Sequence, residues 1–190
     1  MKNIFTKNII DILESGGIGV LPTDTIYGLV GQALKPETVE RIYEVRQRRP
    51  DKPLIILIAD SGDLDLFGVV LTAKQKDFCQ KYWPGAISII LPCVDKKFDY
   101  LHRGTGSLAF RLPAVGELRD LIRQTGPLVA PSANPEGRSP ALIIEEAQDY
   151  FADQVDFYCD ASRQESEPST LVSLVGDQIR ILRAGAVEIK

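Results

Sequence analysis

GPLVAPSANPEGRSP, residues 126–140, runs from an apolar segment straight into proline, serine, asparagine and glycine. Leu128, Val129 and Ala130 suit a buried strand, whereas Pro131, Pro135, Gly137 and Pro140 forbid regular structure behind it. Ser139 and Pro140 form a suitable N-cap and first-turn pair for a helix over 141–151. The stretch therefore reads as a strand-to-helix turn. Where a helix N-terminus faces the end of a strand, its unpartnered N–H groups and positive dipole end favour an anion. Ser132 and Asn134 would add a hydroxyl and an amide to such a phosphate site. The competing reading is a capped loop that binds nothing.

Working outward, strand and helix patterns alternate through most of the chain. Apolar residues at helical spacing occupy 8–14, stopped by Gly16 and Gly17, and a short strand follows over 18–21. A helix is expected over 36–47, a fully apolar strand over 54–59, a capped helix over 72–83, strands over 86–91 and 108–112, and a helix over 115–124. The last third holds strands at 156–159, 171–175 and 179–182, the latter two joined as a hairpin by Gly176, Asp177 and Gln178. The polar stretch 162–168 reads as a mobile loop. This pattern predicts a single α/β domain over 1–190: an open, twisted, mixed sheet with packed helices.

Composition limits the function classes. A chain of 190 residues with 44% hydrophobic content buries a sizeable core. A net charge of -4 argues against gripping nucleic acid with the whole surface, while leaving room for a local basic patch. No apolar run approaches the roughly 20 residues a membrane span needs, and Lys7, Asp11 and Glu14 interrupt any signal-peptide core, so a cytoplasmic location is expected. Cys79, Cys93 and Cys159 are odd in number and widely spaced, which fits reduced, buried thiols.

His102 is the one histidine, and no Cys-x-x-Cys pair is present. Serine–histidine triads and histidine-based zinc sites are thereby disfavoured. Its polar surroundings from Asp99 to Gly106 suggest a solvated loop histidine. Chemistry then rests on threonine, serine, asparagine, lysine and arginine, which act by positioning and charge stabilisation, as in reactions of phosphoryl groups. Two stretches supply such residues. PTDTIYGL, residues 22–29, places Thr23, Thr25 and Tyr27 alternately, so that an extended segment would turn them to one side; a turn satisfying its own backbone is the plainer reading. RQRRPDKPL, residues 46–54, groups Arg46, Arg48, Arg49 and Lys52 behind a helix. A helix C-terminus accounts for some of that charge, and a polyphosphate or RNA backbone for the excess.

PTDTIYGL, RQRRPDKPL, KYWPGAISIILP, SLAFRLP, GPLVAPSAN and EPSTLVSLVGDQIRILRAGAV, in that order from about Gly17 to Ala186, resemble the YrdC-type threonylcarbamoyl-AMP synthase family in its single-domain bacterial form. The resemblance implies a twisted α/β sheet with a concave, locally positive face. It implies an enzyme that joins L-threonine, bicarbonate and ATP into threonylcarbamoyl-adenylate and pyrophosphate, with Mg2+ arriving on the nucleotide and no protein-ligated metal. A partner tRNA threonylcarbamoyl transferase machinery would use the product, with a weak direct RNA contact also open. By motif, Thr25, Tyr27, Arg111, Ala130 and Ser169 would form the threonine side. Arg46, Arg48, Ser107, Ser132, Asn134 and Arg183 would hold ATP and its phosphates, with Arg46 and Arg48 as the catalytic cations.

The chain departs from the family at Arg46, where lysine is usual, at Arg49, where proline is usual, and more mildly at Asp24 and Ala86, in place of glutamate and proline. Two other readings stay open: a nucleotide- or RNA-binding paralogue without synthase activity, and a carbamoyl-transfer module of the kind fused in hydrogenase maturation proteins. Threonine recognition by Thr25, Arg111 and Ser169 separates the synthase from a pure RNA binder.

Overall fold

The computed structural model describes residues 4–176 and 178–190. Nine strands form one sheet in the order β7-β1-β2-β6-β3-β5-β4-β8-β9. They are β1 (Gly19–Pro22), β2 (Tyr27–Gln32), β3 (Ile55–Leu57), β4 (Ile87–Pro92), β5 (Ser107–Arg111), β6 (Leu128–Val129), β7 (Phe157–Tyr158), β8 (Thr170–Ser173) and β9 (Arg180–Arg183). The sheet is mixed: β1 and β7, β3 and β5, and β4 and β8 run parallel, while the other neighbours are antiparallel. The α-helices are α1 (Lys7–Glu14), α2 (Pro36–Val45), α3 (Ala73–Tyr82), α4 (Asp99–His102), α5 (Gly116–Thr125) and α6 (Ile144–Phe151). The open mixed sheet with packed helices is the architecture expected from the sequence.

The register decides which side chains share a face. Ile55 stands opposite Ala109 and Leu57 opposite Arg111; Ile90 stands opposite Ala109 and Ser173; Ser88 pairs with Leu171, and Leu171 with Arg183. Because side chains alternate along a strand, these residues point to one side, while Ile56, Ile89, Phe110, Val129 and Val172 point to the other. That other side is fully buried and packs with Val39 and Ile42 of α2, Phe78 and Cys79 of α3, Leu101 of α4, and Ala147 and Phe151 of α6. On the first side, α1 and α5 cover one end: Ile9, Leu13, Leu118, Leu121 and Ile122 close over Leu21, Val30, Leu57 and Leu128. Ile55, Ile90, Ser107, Leu171 and Ser173, beyond that cover, stay partly exposed. The sheet therefore keeps part of one face uncovered.

Several expectations are corrected. From Tyr27 the chain forms strand β2, for which the sequence offered only an extended segment or a turn, packed so closely on α2 that a Cβ at Gly31 would meet Thr38 Cγ2 at 2.5 Å. The helix expected from Ala141 begins at Ile144, and neither Ser139 nor Pro140 caps it. Its open N-terminus is filled by the chain's own carboxylates: Glu145 and Glu146 lie in the first turn, and Leu142 N donates to Glu146 Oε2 at 2.7 Å. The expected anion site at that helix start is not there. His102 is not a solvated loop residue either, but is buried at the end of α4, its Nδ1 accepting from Gly104 N at 3.2 Å. β8 and β9 pair as the expected hairpin, and Asp177 of its turn lies outside the described residues. All three cysteines are free and buried.

Candidate active site

At the open face, one cleft is lined by Thr23, Thr25, Arg111, Ala130, Ser132 and Ser169, among others. β6 reaches it because Ala130 N donates to Ile55 O at 2.8 Å, after which Pro131 O accepts from Leu29 N at 2.9 Å and Ser132 bridges to Gly28. The proline-rich stretch thus continues the sheet irregularly and delivers Ser132 and Asn134 beside the cleft.

Two buried guanidinium groups flank this cleft. Arg111, at the end of β5, donates from Nη1 to Thr25 Oγ1 at 3.0 Å, and its Nη2 lies 3.2 Å from Asp24 Oδ1. Burial pulls its pKa down, against the opposing pull of Asp24. Arg46, only 3% exposed, donates from Nε to Asn134 O at 2.9 Å and from Nη2 to Ser132 Oγ at 3.3 Å. Burial, followed by nearby Arg48, lowers its pKa to about 10, against a smaller opposing pull from Glu136. Arg46 Nη1 and Arg111 Nε are buried without a hydrogen-bond partner. Buried polar atoms left unpaired are costly, and these two belong to guanidinium groups that contact Thr25 and Ser132 of the cleft wall, where a ligand could partner them. A cavity of about 290 Å3 between the start of α3 and the segment joining β8 to β9 is larger, yet none of its lining residues has such an unpaired buried atom.

The remaining candidates fall out as follows. Ser169 is buried, shares a 2.8 Å hydrogen bond between its Oγ and that of Ser88, and accepts from Arg183 Nη2 at its carbonyl at 2.7 Å and at its hydroxyl at 3.2 Å. Arg183 is thus turned from β9 onto the cleft wall. Tyr27 is fully buried, and its hydroxyl donates to Ala161 O at 2.8 Å and accepts from Ala161 N at 2.9 Å. It pins the start of the irregular segment that ends at Ser169. Thr23 and Thr25 lie in a turn, not an extended segment, with Thr23 Oγ1 donating to Ile26 O at 2.7 Å. Ser107 shares the face of Arg111 but stands four residues down β5, roughly 13 Å along the strand. Asn134 Nδ2 donates to Pro135 O and Arg138 O, at 2.9 and 2.8 Å, and so shapes its own loop.

Of the basic run, Arg46 alone turns to Ser132 and Asn134. Arg48 caps the carbonyls of Lys52 and Pro53, each at 3.1 Å, Arg49 pairs with Asp51 at 2.7 Å, and Lys52 pairs with Glu136. Asp24 and Glu136 were not singled out in the sequence as site residues. Asp24 carried a signal, being the one carboxylate among the polar groups of PTDTIYGL.

An open α/β sheet with unmatched cations and hydroxyls along an uncovered face defines a protein that binds a small anionic ligand. Residues 11–185 match the family Sua5_yciO_yrdC, described as "Telomere recombination". The chain belongs to this Sua5/YciO/YrdC family. It is 32% identical over 170 residues to the threonylcarbamoyl-AMP synthase of Marinobacter nauticus, covering 87% of this chain and 90% of that protein. It superposes with a TM-score of 0.86 on Pyrococcus abyssi Sua5 complexed with L-threonine, at 28% identity, covering 93% of this chain and 52% of the other. Escherichia coli YciO, at 22% identity and a TM-score of 0.85, shares the fold over 96% of this chain and 90% of its own.

Proposed function

We propose that this chain is a threonylcarbamoyl-AMP synthase, a nucleotidyltransferase that makes threonylcarbamoyl-adenylate and pyrophosphate from L-threonine, bicarbonate and ATP. The observation that carries this reading is the pair of buried guanidinium groups with unpaired nitrogens, Arg111 in the cleft wall and Arg46 behind it on Ser132. Arg111, steadied by Asp24 and Thr25, suits an amino-acid carboxylate; Arg46, hydrogen-bonded to Ser132 and Asn134, suits phosphate oxygens.

In this reaction the threonine amine and bicarbonate condense with loss of water to an N-carboxylate. One of its oxygens attacks the α-phosphorus, the bond from that phosphorus to the bridging oxygen breaks, and pyrophosphate leaves with the electron pair. The carbamate is a weak and short-lived nucleophile, so a buried pocket that excludes water and holds it in line supplies most of the advantage. Arg46, with Arg48, Ser132 and Asn134 nearby, and Arg183 reaching in from Ser169, would balance the charge that grows on the phosphoryl oxygens and the leaving group. Among the described residues no cluster of three His, Cys, Asp or Glu side chains is placed to hold a metal ion, and Mg2+ would travel on the nucleotide's phosphates. The product suits a tRNA threonylcarbamoyl transferase in the cytoplasm, and among the described residues no helix is long and apolar enough to cross a membrane.

The deciding experiment is pyrophosphate release from ATP with threonine and bicarbonate each present or omitted. Release requiring both is expected; release indifferent to threonine would overturn the synthase in favour of a nucleotide- or RNA-binding relative, for which Thr25, Arg111 and Ser169 have no use.

A further inference from the structure

From the geometry of the basic turn we infer that Glu136 is a positioning residue, clipping residues 46–52 to the 132–138 loop so that Arg46 and Arg48 are held where a nucleotide's phosphates meet them. The inference rests on the ATP-binding part of the reading above. Its starting point is the end of α2. Gln47 N donates to Glu44 O and Arg48 N to Tyr43 O, each at 2.9 Å, closing the helix with a double hydrogen bond that places Gln47 at φ 50°. Glycine usually takes that left-handed position, and a residue with a side chain persists there only where its surroundings over-determine the turn.

Glu136 supplies that restraint at three points. Its backbone N donates to Arg46 O at 2.8 Å, its Oε2 accepts from Arg49 N at 2.6 Å, and its Oε1 accepts from Lys52 Nζ. Fastening Lys52 also fastens Arg48, because Lys52 O accepts from Arg48 Nε at 3.1 Å and from Tyr43 Oη at 2.9 Å. Glu136 is two residues from Asn134, whose carbonyl accepts from Arg46 Nε. The clip therefore sets the gap between the two segments that Arg46 bridges. The Lys52 ammonium holds the Glu136 carboxyl down to about 2, so the clip stays charged across the neutral range. Both carboxylate oxygens of Glu136 are taken up by Arg49 N and Lys52 Nζ, which separates its role from ligand contact.

The test uses Glu136→Ala, Glu136→Gln and Lys52→Met in the full chain. ATP affinity is measured by calorimetric titration without threonine, and the Michaelis constants for ATP and threonine are measured separately. Glu136→Ala is expected to weaken ATP binding by about ten-fold while leaving the threonine constant within about two-fold. Glu136→Gln, which keeps an acceptor for Arg49 N, should restore part of the loss, and Lys52→Met should lose affinity in the same direction even where Glu136→Ala fails to fold. Unchanged ATP affinity in folded Glu136→Ala or Lys52→Met, or equal losses for ATP and threonine, would overturn the inference. If the parent chain binds ATP but releases no pyrophosphate with threonine, the synthase reading fails while the titrations still decide the role of Glu136.

Discussion

Arg111 Nη2 faces Asp24 Oδ1 across 3.2 Å, and both side chains are only 4% exposed. A charge pair removed from water to this degree is a weak source of net stability, yet losing one member strands the other without solvent or partner. Asp24→Asn should therefore destabilise the fold by about 3 to 5 kcal/mol, read from urea unfolding, and abolish threonine-dependent turnover. A loss below about 1 kcal/mol would mean that Arg111 finds its compensation elsewhere.

Ser132 and Asn134 should separate under substitution, because one side chain meets only Arg46 while the other also ties its loop together. Ser132→Ala should weaken ATP binding and leave stability within about 0.5 kcal/mol, as for a partly exposed site without packing. Asn134→Ala should lower both, since the carbonyls of Pro135 and Arg138 lose their donor at a cost of about 1 to 3 kcal/mol. Calorimetric titration beside urea unfolding of each variant distinguishes the two patterns.

Amino-acid selectivity tests the threonine side. A cleft presenting Thr25 Oγ1 and Ser169 Oγ beside Arg111 should require a free carboxylate and a substrate hydroxyl. Adenylate formation should rank threonine first, serine lower by about 10 to 200-fold, and valine last, by up to about 10,000-fold, because a site that hydrogen-bonds a hydroxyl rejects the analogue lacking it. A flat ranking with ATP and bicarbonate fixed would displace the amino-acid pocket from this place.

Acid should loosen the turn at Glu136. Its carboxyl falls from an ordinary 4.5 to about 2 through the Lys52 hydrogen bond and then the Arg49 amide. A depressed carboxylate stabilises the fold fully above its unfolded value and loses that contribution as pH drops through the folded one. Between pH 4.5 and 2 the parent should lose stability more steeply than Glu136→Gln, measured by urea unfolding at stepped pH. Parallel curves would show that the Lys52 contact contributes nothing in solution.

The alternation of apolar strands and amphipathic helices made the sheet legible, because burial on one face leaves a periodic trace. Tyr27–Gln32 left no such trace: Gly31 allows α2 to approach, and strand propensity gives way to packing. His102 and α4 were missed for a related reason, since a four-residue helix is created by contact with its neighbours and carries no period of its own. The helix start at Ile144 escaped because serine followed by proline is a strong local signal that tertiary context overrode. Within the site, Arg46, Arg111 and Ser132 stood out by residue type. The roles of Asp24 and Glu136 depend on partners 87 and 84 residues away and could be seen only in three dimensions.

The uncovered half-face is built by strands that are neighbours in space and strangers in sequence, with Thr25 and Arg183 contributing from opposite ends of the chain. Ligand binding is consequently a late event in the life of each molecule. Until the β8–β9 hairpin has been made, the cleft would lack the wall that Ser169 and Arg183 supply, whatever Arg111, Asp24 and Thr25 have formed. Long-range pairings of this kind also form slowly, because loop entropy must be overcome before contacts reward it. On the proposed function, amino-acid binding would report completed folding, and a chain truncated before β9 should remain silent toward threonine.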